Sequence, residues 1–142
     1  MLFAAFASVV IATCYDGDTC TTTTGERVRL ACIDTPELVG KRAEPVPAKA
    51  ARDNLRGLVE GKQVGIHRIT KDRYGRTVAE IFVGATNVQQ EIVDTGHAKI
   101  YWRYAHQCPW TEGLFWKRSP FLVNTHLVAH IVQRSEPLPS FP

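Results

Sequence analysis

No two cysteines stand at the Cys-x-x-Cys spacing of a structural zinc site, so that way of building a small domain is excluded. No apolar stretch approaches the ~20 residues a membrane-spanning helix needs. The most apolar one, residues 2–12, is too short and has no basic flank, so it is a poor signal peptide and predicts no stable membrane association. Strong charge of either sign is missing as well. The net charge of +3 and pI near 8.8 fall short of the pI above ~9 of a dedicated nucleic-acid-binding domain. There is no internal repeat, which excludes solenoid and propeller architectures. What remains is an ordinary globular composition, 44% hydrophobic and 22% charged over 142 residues, enough for one domain with a single core and for a monomer.

Residues 8–13 are rich in β-branched side chains and predict a first strand. Residues 1–8 read either as the remnant of a signal sequence or as a ragged strand start. The Asp-Gly step in Tyr15-Asp16-Gly17-Asp18-Thr19 predicts a tight hairpin turn. A second strand over 20–24 and a period-2 strand over 27–33 complete a meander. Residues 36–47, with three prolines and a glycine, predict a loop. Beyond them Ala48, Ala51, Leu55, Leu58 and Val59 recur at helical spacing, with Pro47 near the start and Gly61 as the stop. Strands over 63–69 and 77–83 and a short helix over 87–94, ended by Gly96, follow. Five short strands with packed helices predict an α+β fold built on a five-stranded OB-type β-barrel. Cys14 and Cys20 flank the first turn and can face each other there, which fits an exported protein. With Cys32 and Cys108 the four cysteines permit three pairings, or none, and a secreted or periplasmic location is favoured over the cytoplasm.

Cleaving a phosphodiester at neutral pH requires a water that loses its proton and fixed positive charge beside the phosphoryl oxygens. Carboxylates serve the first need, directly or by holding a hard divalent cation, and arginines serve the second. Three segments supply such a set: Asp16-Gly17-Asp18-Thr19; Arg29 with Asp34-Thr35-Pro36-Glu37; and Asp72-Arg73-Tyr74-Gly75-Arg76. Each alone is bland, being a plain turn, a helix-type cap or a solvated turn. In order and together they resemble the catalytic set of the staphylococcal nuclease (thermonuclease) family, over about residues 9–104.

The resemblance implies a calcium-dependent nuclease, a hydrolase acting endonucleolytically on DNA or RNA. It assigns Asp18 and Asp34, with the carbonyl of Thr35, to Ca2+. It makes Glu37 the general base and has Arg29 and Arg76 grip the scissile phosphate. Arg73, in place of the family's lysine, and Tyr74 fall where a terminal phosphate is held; Trp102 and Tyr104 fall near the base-stacking tyrosines. Lys41 and Arg42 in the loop are candidates for attracting the polyanion. His126 and His130, four apart, have no acidic partner nearby and are discounted as metal ligands.

The nuclease domain is expected over residues 9–109 and a divergent tail over 110–142. The family follows its last strand with a charged amphipathic helix, whereas residues 110–142 hold two acids, Glu112 and Glu136, and three prolines in the last six positions. That helix is expected to be divergent or missing, through an extension or a reading-frame change. The alternative reading is a non-catalytic nucleic-acid-binding module on the same barrel. Such modules often lose the acidic ligands, and here Asp18, Asp34 and Glu37 are present. A barrel that merely recruits a protein partner leaves the acids and arginines unexplained.

Overall fold

The computed structural model describes residues 7–114, and the compact unit that carries every element below ends at Glu112. The expected signal remnant and most of the expected tail lie outside the described residues.

Strand β1 (Ala7–Cys14) pairs antiparallel with β2 (Thr19–Thr22), which pairs antiparallel with β3 (Arg27–Leu30). The register of β1 slips between Ile11 and Thr13, a bulge that turns both Ile11 and Cys14 inward although they stand an odd number of positions, three, apart. Strands β5 (Gln63–Lys71) and β6 (Thr77–Val83) form a hairpin whose first strand also pairs with β1. A parallel pairing of β3 with β6, Val28 opposite Thr77 and Leu30 opposite Ala79, closes the ring of five strands. The expected five-stranded barrel with packed helices is therefore the fold, and no barrel strand is left as an open edge. Val28, Leu30, Val64, Ile66, Ala79 and Ile81 alternate inward and fill it.

The strand expected over 27–33 is two pieces. Cys32 takes a left-handed conformation (φ 66°), uncommon for a non-glycine residue. It ends β3 and releases β4 (Ile33–Asp34) to pair with β8 (Lys99–Ile100). Period-2 patterning stops at Leu30, and the unbroken apolar run Ala31, Cys32 and Ile33, all buried, conceals the break.

Helix α1 (Pro45–Val59) buries Ala48, Ala51, Leu55 and Val59 along one face and packs against β1 and α2. It begins two residues before the expected Pro47 because Pro45 occupies its first turn. Arg56 Nε donates to the carbonyl of Cys14 at 2.9 Å and so ties α1 to the first hairpin. Helix α2 (Val88–Asp94) is capped by Asn87, whose side chain accepts from the Gln90 amide, and the short β7 (Thr86–Asn87) leads into it. The fully buried Gln89 accepts from the Ile81 amide at 3.0 Å and donates to the Ile81 carbonyl at 3.4 Å, which fastens α2 to β6.

Two disulfides brace the fold. Cys14–Cys20 joins facing positions of β1 and β2. Cys32–Cys108 ties the turn after β3 to a 3-10 segment, Trp102–Gln107 followed by Pro109–Thr111, with Trp110 and Val78 packed around it.

Candidate active site

The Asp16-Gly17-Asp18 loop sits at the end of the first hairpin, closed by Cys14–Cys20. Gly17 does not need glycine for a left-handed turn, as the sequence suggested; it is absent from the positive-φ residues. The reason is steric: a methyl there would lie 2.8 Å from the Cβ of Ala51 and 2.9 Å from Cγ2 of Thr35. The loop is therefore pressed onto α1 and Thr35, and Asp18 is pushed inward, only 6% exposed.

Asp18 is held from several sides. Its amide donates to Asp16 Oδ1 at 3.1 Å, its Oδ1 accepts from the Thr19 hydroxyl at 3.2 Å, and its Oδ2 accepts from the Thr35 hydroxyl at 3.0 Å. Arg29 Nη2 lies 3.2 Å from Asp18 Oδ2 and 3.9 Å from Asp34 Oδ1. The same guanidinium donates to the carbonyls of Leu30 and Ile33 at 2.6 and 2.9 Å. Arg29 is thereby fixed between the two acids, with its side chain 15% exposed. Burial pushes the Asp18 carboxyl up to about 7, against the pull of Arg29 and with a further push from Asp16. One guanidinium does not balance this buried carboxylate, and Asp34, with a side chain 60% exposed, adds a second negative group beside it.

That shortage of positive charge is what a cation site has before its ion arrives. The donors are hard oxygens, while all four cysteines are locked in disulfides, which suits calcium or magnesium and not zinc. Among the described residues no three His, Cys, Asp or Glu side chains converge, so the other ligands would be neutral oxygens such as the Thr35 carbonyl and water. The residues fit a hard divalent cation on these terms. What the structure itself displays of Thr35 is its hydroxyl on Asp18.

The second arginine enters from the β5–β6 turn. Asp72 Oδ1 accepts from the amides of Tyr74 and Arg76 at 2.9 and 3.0 Å, and Asp72 Oδ2 accepts from Arg76 Nε at 2.7 Å. Gly75, at φ 78°, supplies the left-handed residue that closes the turn. Hydrogen bonding to Arg76 and to the two amides outweighs the partial burial of Asp72 and keeps its carboxyl below the usual range. Arg76 Nη1 reaches the Thr19 hydroxyl at 3.4 Å, next in sequence to Asp18.

Arg29 and Arg76 line one cavity of about 530 Å³, together with Arg73, Tyr74, Tyr101, Arg103 and Tyr104. Asp18 and Asp34 stand behind Arg29 and do not line it. Glu37 is exposed, outside that lining, and its side chain is unpaired among the described residues; its backbone bridges to Ala43 and accepts from the Glu44 amide at 2.9 Å, closing the loop that holds Lys41 and Arg42. Trp102 is half-buried and also outside the lining, whereas Tyr101 and Arg103 are in it. Tyr101 meets Tyr104 edge to face at 5.1 Å between ring centres. Sequence reasoning missed Tyr101 and Arg103 because a six-residue 3-10 turn presents Arg103, with Tyr101 as the residue that caps it. The repeated Arg-Tyr steps at 73–74 and 103–104 were the available signal.

The sequence is similar to nucleases. An endonuclease of Haemophilus influenzae described as uncharacterised is 38% identical over 95 residues, 64% of this chain and 51% of that protein. The staphylococcal-like nuclease CAN1 of Arabidopsis thaliana is 37% identical over 78 residues, 55% of this chain and 23% of that protein. The probable endonuclease LCL3 of Candida tropicalis is 40% identical over 80 residues, 52% of this chain and 34% of that protein. The chain thus spans about half, or less, of the length of these relatives. The family model described as staphylococcal nuclease homologue matches residues 27–114. That stretch takes in Arg29, the Asp34–Glu37 segment, the Asp72–Arg76 turn and both aromatic walls of the cavity, and by it this chain belongs to the staphylococcal nuclease homologue family.

Proposed function

We propose that this chain hydrolyses phosphodiester bonds of DNA or RNA by attack of water, with calcium held by Asp18, Asp34 and the carbonyl of Thr35. The observation that carries the reading is the pair of arginines. Arg29 comes from β3 and Arg76 from the turn that leads into the adjoining β6, each is anchored by a carboxylate, and both line one cavity. Arginines so anchored have lost their rotational freedom before substrate arrives, and the planar fork of each suits two phosphate oxygens.

In the proposed step the oxygen of a water bonds to phosphorus, the ester bond to the leaving oxygen breaks, and Glu37 takes the water's proton. The unpaired, exposed side chain of Glu37 suits a base that must meet water. Arg29 and Arg76 stabilise the charge that builds on the phosphoryl oxygens. A bound divalent cation supplies Lewis-acid charge to the phosphate and lowers the pKa of nearby water. Tyr74 and Arg73 hold a neighbouring phosphate, and Tyr104 with Tyr101 offers a stacking surface for a base, the position first given to Trp102. Two disulfides support a place outside the reducing cytoplasm, secreted or periplasmic. Among the described residues no helix is long and apolar enough to cross a membrane.

The test is release of acid-soluble nucleotides from single-stranded DNA with calcium and then with excess chelator, beside a Glu37→Ala control. Calcium-dependent release that collapses in the control supports the enzyme and the role of Glu37. Absence of release from protein shown to be folded sinks the nuclease reading and leaves a nucleic-acid-binding module.

A further inference from the structure

Five cationic side chains line the cavity, Arg29, Lys71, Arg73, Arg76 and Arg103, against one acid, Asp72. Arg29 is offset by Asp18 and Asp34, and Arg76 by Asp72. Lys71 acts on Glu26, whose carboxyl it helps to lower. Arg73 donates to the Tyr74 hydroxyl at 2.7 Å and lies 4.9 Å over that ring. Arg103 differs from all of these. It is exposed, and among the described residues it has neither an ion pair nor a hydrogen bond. Its guanidinium lies over the face of Tyr104, 5.6 Å from the ring centre.

A cation over an aromatic face is steadied, yet its N–H donors remain unsatisfied. Arg103 is therefore a pre-placed guanidinium with its hydrogen-bonding capacity unused, on the wall of a cavity that already holds a complete grip for one phosphate. One phosphodiester carries one negative charge, and Arg29 with Arg76 meets it. The further cations exceed what a single linkage needs and match a strand that brings several.

We propose that Arg103 binds a further backbone phosphate, beyond the scissile one and the one given to Arg73 and Tyr74, that of the nucleotide whose base stacks at Tyr104, so that the cleft is built for a polynucleotide strand continuing past the bond that is cut. The residue is a positioning residue and takes no part in the chemistry. This rests on the proposed nucleic-acid substrate, though not on cleavage.

The experiment is fluorescence anisotropy of a labelled single-stranded oligo-dT of roughly 12 nucleotides, within the site sizes of OB folds. It is run in calcium-free buffer across a salt series on wild type and on Arg103→Ala, Arg103→Gln, Arg103→Lys and Lys49→Ala. Each phosphate contact to a single strand contributes about 0.7 to the slope of log affinity against log salt. Arg103→Ala and Arg103→Gln are expected to reduce the slope by that amount and to weaken binding several-fold at low salt, whereas Arg103→Lys keeps the slope. Lys49→Ala removes the same charge from α1, outside the cavity, and is expected to leave the slope alone. An unchanged slope in Arg103→Ala and Arg103→Gln, an equal change in Lys49→Ala, or failure of the wild type to bind overturns the proposal. Binding without cleavage when calcium is restored overturns the nuclease reading alone, and the slope still judges Arg103.

Discussion

The two disulfides permit a quantitative test, because they remove similar chemistry and differ in the length of chain they constrain. Cys32 and Cys108 are 76 residues apart, and Cys14 and Cys20 are 6 apart. If a cross-link acts mainly by restricting the unfolded chain, the longer loop contributes about 4–5 kcal/mol and the shorter about 2 kcal/mol. All four cysteines are buried, so replacing either pair by alanine leaves comparable vacancies in the interior, and the difference of about 2 kcal/mol isolates the loop term. The assay is equilibrium urea unfolding of Cys32→Ala/Cys108→Ala and of Cys14→Ala/Cys20→Ala beside the oxidised parent, followed by tryptophan fluorescence. With a urea slope of about 2 kcal/mol/M, the midpoint should fall by about 2 M for the first variant and about 1 M for the second. The functional losses should run differently. Opening Cys14–Cys20 loosens the Asp18 loop and should lower kcat. Opening Cys32–Cys108 frees the 3-10 segment bearing Arg103 and Tyr104, with Tyr101 at its start, and should raise KM. Equal losses of stability, or a larger loss for the short loop, would refute the unfolded-chain account.

Arg29→Ala should fold and lose roughly 3–4 kcal/mol of transition-state stabilisation, read as a fall of about 10²–10³ in kcat; undiminished turnover would remove Arg29 from the site. Gly17→Ala should displace the Asp18 loop, because the added methyl meets Ala51 and Thr35 inside 3 Å; a crystal structure of the variant with Asp18 unmoved would contradict the packing argument. The folded Asp18 carboxyl, at about 7, lies above its unfolded value of 3.8, so its contribution to stability is full below that value and is lost as pH rises through 7. Asp18→Asn should therefore stabilise the calcium-free fold at pH 8, seen as a higher Tm, while abolishing cleavage. Glu26 behaves in the opposite sense: two bonds from Arg68 and one from Thr77 hold its carboxyl down to about 2, so stability present above 4.5 is lost as pH falls through 2. After solvent screening, Glu26→Gln should cost about 1 kcal/mol at pH 7 and flatten the acid limb of the stability curve.

Strand β1 was legible from its β-branched residues, β3 from its period-2 pattern, and α1 because its apolar spacing is helical. What escaped was conformation set by tertiary partners. The break at Cys32 depends on Cys108, 76 positions away, and on β8, neither of which leaves a local signature. Gly17 looked like turn chemistry and is a contact with α1, which only packing reveals. The acids and arginines could be named in sequence, whereas the anchoring of Arg76 by Asp72 and the pinning of Arg29 between Asp18 and Asp34 are products of the assembled strands. The short 3-10 segment that Tyr101 caps and that carries Arg103 has no period a strand or helix search detects.

The parallel seam between β3 and β6 joins residues about fifty positions apart, opposing Arg29 to Val78 two places beyond Arg76. Contacts so distant in sequence form only after the intervening chain has been ordered, and they are slow to form. The two arginines thus become neighbours at the step that shuts the ring. A chain halted before that step carries both side chains and can use neither together. The seam works as an interlock: on the proposed nuclease reading, the paired grip on phosphate is withheld from partly folded forms and completed only in the finished barrel.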